Sequence, residues 1–122
     1  MGRRYERAEF LAGEFRAAIA GDPAERPVVV DVADALGNAP CVLFTPPRSG
    51  AGRLGSGSVD VEWRVVILSS GPPTFSSWQE LDDLVELVER EFPTTSVEPG
   101  VYPLVAGQEP HACYVVTIPD TL

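Results

Sequence analysis

The stretch VDVEWRVVIL, residues 59–68, constrains the fold more than any other part of the chain. Val59, Val61, Trp63, Val65 and Ile67 alternate with Asp60, Glu62 and Arg64, which is the period of a strand with one buried face. From Val66 onward the second face becomes apolar as well, with Leu68. The pattern predicts a strand that is half-exposed at its start and covered on both sides at its end.

Other segments supply its neighbours. RYERAEFLAGEFRAAIA, residues 4–20, reads as an amphipathic helix, because Ala8, Leu11, Phe15, Ala18 and Ile19 recur at steps of three and four and Tyr5 extends the stripe. Gly21-Asp22-Pro23 stops it. PVVVDV, residues 27–32, and CVLF, residues 41–44, read as short strands, with ADALGNAP, residues 33–40, as a turn-rich connection. Pro46-Pro47 breaks the pairing after CVLF. Ser77-Trp78-Gln79-Glu80 matches the capping box S-x-x-E and predicts a helix from there to about Phe92. Trp78, Leu81, Leu84, Val85, Val88 and Phe92 form its inner stripe, and Glu80, Asp82, Asp83, Glu86 and Glu89 its acidic outer face. In the tail, VYPLV (101–105) and ACYVVTI (112–118) read as strands joined by the turn AGQEPH. The element order predicts an α+β fold: a mainly antiparallel sheet of about four to five strands, two flanking helices, and one long loop between two strands. With 122 residues, the chain is read as one domain with a flexible loop at about 46–58.

That loop holds Gly50-Ala51-Gly52-Arg53-Leu54-Gly55, a literal G-x-G-x-x-G. A dinucleotide fingerprint requires a strand leading in and a helix N-terminus leading out, on which the pyrophosphate sits. Here the strongest strand of the sequence follows, so no nucleotide cofactor is expected. A phosphate loop of the G-K-[ST] kind is excluded because the chain has no lysine; its nine cations are all arginine. The loop of about a dozen residues is longer than a hairpin needs. Its Arg48, Arg53 and Leu54 are candidate contacts to a partner, with the arginines meeting carboxylates.

The charge balance of −9 argues against electrostatic binding of nucleic acid. No apolar run reaches the roughly 18 residues that a membrane-spanning helix needs. MGRRYERAEF carries basic residues with no apolar run behind them, so no signal peptide is expected and synthesis is expected in the cytoplasm. Cys41 and Cys113 fall in predicted strands and read as two buried thiols. With His111 they are too few for a structural zinc site, and none lies at ligand spacing. His111 and Cys113 are two apart and would point the same way from a strand, without being opposed across a cleft. No G-x-S-x-G or H-E-x-x-H is present. The expectation is a protein that is not an enzyme, with no catalytic, cofactor or metal residues.

PCVLFTPPR (40–48), VEWRVVILSSGPP (61–73) and LDDLVELVE (81–89) together resemble the small tail terminator or head–tail connector proteins of long-tailed phages that infect actinobacteria. The resemblance runs from about Val28 to Ile118. It implies a sheet flanked by helices and a homo-oligomer, a hexameric ring at the head–tail joint of the virion. Such a ring caps the tail tube, contacts the tail tube protein and the head connector proteins, and leaves a channel through which DNA passes without specific binding. The residues leave a second class open: a small intracellular ligand-binding or catalytic domain with loop 46–58 as a lid over a concave pocket. A third reading is another head–tail neck component of the same fold.

Overall fold

The computed structural model describes residues 3–49, 60–105 and 107–121. The order of elements is α1 (Arg3–Ile19), β1 (Val28–Val29), α2 (Val32–Asn38), β2 (Cys41–Phe44), β3 (Arg48–Ser49), β4 (Asp60–Leu68), α3 (Phe75–Gln79), α4 (Asp82–Glu91), β5 (Ser96–Tyr102) and β6 (His111–Thr121). All six strands belong to one sheet, ordered β1-β2-β4-β6-β5, with β3 on the flank of β4. Every pairing is antiparallel except β1 with β2. The fold is α+β, as the element order predicts.

The alternating stretch is the middle of the sheet. β4 is paired along its whole length with β6, from Asp60 opposite Thr121 to Leu68 opposite Cys113. Val61, Trp63, Val65 and Ile67 are buried, Asp60, Glu62 and Arg64 are exposed, and Val66 and Leu68 are buried on the second face. Val59 lies outside the described residues.

The two faces are covered unequally. On one, α1 and α4 bury Ala8, Ala12, Phe15, Ile19, Leu84 and Val88 against Val42, Phe44, Trp63, Val65, Ile67 and Val116. Phe15 of α1 anchors this layer: its ring stacks on Phe92 at 3.9 Å and meets Phe44 edge-on at 5.0 Å. Burying one such aromatic side chain contributes about 2–3 kcal/mol. On the other face, a smaller cluster of Ala35, Cys41, Leu43, Val66, Leu68 and Cys113 lies under α2, with Tyr102 and Leu104 packed beside it. This second cluster covers only the far half of β4, which is why Glu62 and Arg64 stay exposed on the same face.

Four local expectations are corrected. Residues 33–40 are mostly the helix α2, started by Asp31, whose carboxylate accepts the Ala33 amide at 2.9 Å. That helix cuts the preceding strand to Val28–Val29. The second predicted helix starts three residues early: Thr74 is the N-cap of α3, while Ser77 lies inside the helix with its hydroxyl 3.1 Å from Thr74 Oγ1. A turn at Glu80–Leu81 then divides α3 from α4, so the capping box is not formed. Near the C-terminus, the strand read at 101–105 is β5, Ser96–Tyr102, whose Pro99 and Gly100 conceal it from pattern reading. Proline is tolerated there because β5 is an edge strand. Finally, Arg48 and Ser49 are part of a strand instead of the loop.

Candidate functional site

The glycine tract joins β3 to β4, which are antiparallel neighbours. Gly50–Gly55, Arg53 and Leu54 lie outside the described residues. Arg48 is exposed and stands in register with Glu62 of β4, an opposite-charge pair on one face of the sheet. The carboxylate that the sequence assigns to a partner thus has a counterpart within the chain. Thr45, just before the prolines, ties the strand end down: its Oγ1 donates to the Arg64 carbonyl at 2.6 Å.

A cleft opens at the base of this link. Tyr5 and Ala8 of α1, Val30, Phe44, Pro46-Pro47 and Trp63 line it, together with Arg4 and Thr45, and it encloses about 250 Å³. Its walls are mainly apolar. The sequence signals were present but separate: Tyr5 reads as a helix stripe, Pro46-Pro47 as a strand breaker, and Trp63 as an inward strand residue. Only the packing of α1 across β2 and β4 brings them together.

Trp63 is held in that cleft by a polar anchor. Its Nε1 donates to Asp120 Oδ2 at 3.0 Å. Arg7 donates to both oxygens of the same carboxylate, Nε to Oδ2 at 2.9 Å and Nη2 to Oδ1 at 3.1 Å. Burial pushes the Asp120 carboxyl up, but the hydrogen bonds from Arg7, Trp63 and the Thr121 backbone, with the Arg7 charge, outweigh it and hold the group below the usual carboxylate range.

A second apolar hollow of about 490 Å³ lies beside the β5 edge, lined by Phe75, Trp78, Pro99, Gly100, Val101 and Tyr114. Phe75 is 77% exposed and is the most exposed large apolar side chain described. Trp78 is fixed by its Nε1, which donates to the Cys113 carbonyl at 2.9 Å.

The two cysteines sit in the interior, as buried thiols. Cys41 and Cys113 are free thiols, both fully buried, and desolvation pushes each up to about 11. A thiol in that state is protonated and a poor nucleophile. His111 faces a backbone carbonyl, with Nδ1 2.9 Å from Ser69 O. Among the described residues, no group of three or more His, Cys, Asp or Glu side chains could hold a metal ion. Among them also, no helix is long and apolar enough to cross a membrane. The acidic face of α4 is as read from the sequence, with Asp82, Asp83, Glu86 and Glu89 exposed and Glu80 exposed just before them. No family model, curated protein or solved structure matches the chain.

Proposed function

We propose that the chain is a non-enzymatic structural subunit of a long-tailed phage virion, a tail terminator that closes into a ring at the head–tail joint and leaves a channel for DNA. The observation that carries this reading is the position of the long link: it connects two antiparallel strands, and its base is paired to β4 in the middle of the sheet. A segment rooted there is suited to reach a neighbouring subunit or the tube below, because the rigid sheet fixes its two ends. Arg48 at its base and Arg53 and Leu54 within it are the proposed contacts, to a second copy, to the tail tube protein or to the head connector proteins. The excess of carboxylates, 18 against nine cations, favours passage of DNA without adhesion, since like charges repel over about a Debye length. Sizing with light scattering tests the reading. It expects one multimer of fixed stoichiometry whose mass holds over a tenfold dilution; a monomer at every concentration contradicts it.

The cleft under Pro46-Pro47 favours a second reading, a small ligand-binding domain with the link as a lid. It predicts a monomer or dimer that takes up one equivalent of a small apolar dye such as anilinonaphthalene sulfonate, with binding abolished by Ala8→Trp. Absence of saturable dye binding removes it.

A further inference from the structure

β5 is the last strand of the sheet, and among the described residues no strand pairs with its outer side. Which backbone groups face outward follows from the ladder. The Thr117 carbonyl accepts the Thr95 amide at 2.9 Å, so Thr117 turns its backbone groups towards β5, and Val115 and Cys113 do the same at period two. Their partners Glu98 and Gly100 therefore bond inward, and Pro99 and Val101 present their backbone groups to the outside. Proline has no N–H to offer there, whereas Val101 offers an N–H and a carbonyl. The side chains alternate as well. Pro99 and Val101 lie on the face of Tyr114, where Phe75 and Trp78 complete the apolar hollow. Glu98 is exposed on the opposite face, the one from which Tyr102 packs against the second core cluster. An open edge with an apolar hollow on one face and a carboxylate on the other is suited to an added strand: the backbone supplies affinity and alternate side chains supply specificity.

We propose that the β5 edge accepts an added strand and that this strand is the link of an adjacent copy, with Leu54 in the hollow and Arg53 beside Glu98. The inference rests on the ring reading above and names the surface that receives the arm. Arg53 and Leu54 are consecutive, so an extended strand points them to opposite faces, which matches a hollow on one face of β5 and a carboxylate on the other. From Arg48 to Val59 the chain holds two cations and no acid, within a protein of net charge −9. The same stretch has no proline, so every position can join a ladder. Position requires a second copy. β3 and β6 both pair with Val61 and Glu62, so they lie on opposite sides of β4. Ser49 roots the link opposite Val61, while Pro99 is level with Ile67 through Tyr114. Three strand spacings across and the rise from Val61 to Ile67 put root and hollow roughly 25 Å apart. The stretch from Ser49 to Leu54 reaches at most about 18 Å, so a chain's own link falls short of its own hollow. A donor and an acceptor on opposite sides of one sheet form a head-to-tail contact, the kind that closes into a ring when its rotation permits.

The test is cross-linking between two single-site variants, read on a non-reducing gel. Tagged chains carrying Leu54→Cys are mixed with untagged chains carrying Phe75→Cys, concentrated, and treated with mild oxidant; the native Cys41 and Cys113 are buried and do not compete. Tagged chains are expected to link to untagged ones in excess of either homodimer. The midpoint concentration of assembly, from analytical ultracentrifugation, gives a second readout. Phe75→Ser raises it about tenfold, and the variant folds because Phe75 is 77% exposed. Arg53→Glu and Glu98→Arg each raise it about threefold or more, and the two together restore it. A parent that forms rings while the two cysteine variants show no preferential link, or while Phe75→Ser assembles equally well, overturns the docking and leaves the ring reading standing. Failure of the charge exchange to recover assembly also overturns the docking. A parent that is monomeric at every concentration overturns the ring reading and the docking with it.

Discussion

Arg7 and Asp120, 113 residues apart in sequence, face each other side by side, with both carboxylate oxygens engaged at 2.9 and 3.1 Å. The pair ties α1 to the end of β6, and the Trp63 indole shares one of the oxygens. Asp120→Ala leaves the Trp63 N–H and the Arg7 fork without their acceptor at once. With the Arg7 side chain 37% exposed and that of Asp120 only 13%, the loss is moderated by solvent on one side only. The expected cost is about 2 kcal/mol, measured by urea unfolding. Arg7→Ala costs less, about 1 kcal/mol, because the Trp63 bond survives. Equal losses would contradict the sharing of one carboxylate by two donors.

The same carboxylate makes stability depend on pH. Its folded value is depressed, so the contribution is fully present above the unfolded value of about 3.9 and is lost as pH falls through the folded one. The parent therefore loses melting temperature more steeply than Asp120→Asn does as the pH falls below about 4. Parallel curves for the two proteins would rule out this linkage.

Cys41 and Cys113 both flank Leu68, on opposite sides of β4. Two strand spacings of about 4.8 Å separate their backbones by about 10 Å, beyond the reach of a disulfide. Native protein is expected to resist iodoacetamide at pH 8 and to stay reduced under mild oxidant, whereas denatured protein labels at both positions. Fast labelling in the native state would mean that the second core cluster opens readily.

Much of this was legible beforehand, and the misses share one cause. β4 was readable because one residue in two faces each layer, and α1 because its apolar stripe runs on from Ala8 to Ile19. Where a short element depends on its neighbours, local pattern fails. β5 carries Pro99 and Gly100 and is extended because β6 offers it a ladder from Thr117 to His111. α2 is seven residues long and stays helical by virtue of the Asp31 cap and the burial of Ala35. The capping box was a true motif in the wrong register, since Thr74 lies one turn earlier and engages Ser77 first. A pocket under the link was one of the alternatives, but its lining could not be read, because residues of α1, β2 and β4 that no spacing connects meet there with Val30 and Pro46-Pro47.

The cap reassignment is directly checkable. Thr74→Ala is expected to cost about 1 kcal/mol and Glu80→Ala less than about 0.5 kcal/mol. Gly71 adds a second probe of the same turn: a methyl group there would lie 2.8 Å from Ser77 Oγ. Gly71→Ala is expected to destabilise by about 1–2 kcal/mol, and combining it with Ser77→Ala to recover part of that loss. A larger effect at Glu80 than at Thr74 would reinstate the original register.

Arg48 and Arg53 carry the proposed contact. Replacing both by Ala is expected to weaken ring assembly while leaving the melting temperature of the monomer within about 2 °C; Arg48 is exposed, and an exposed charge contributes little to folding. Rings that form as well as those of the parent would remove the arm from the account.

The most direct measurement is electron microscopy of the purified protein, alone and mixed with tail tubes lacking their terminator. Closed rings of one size that seat at a single end of each tube are the predicted result. Monodisperse particles the size of one subunit, with bare tube ends, would contradict the central claim.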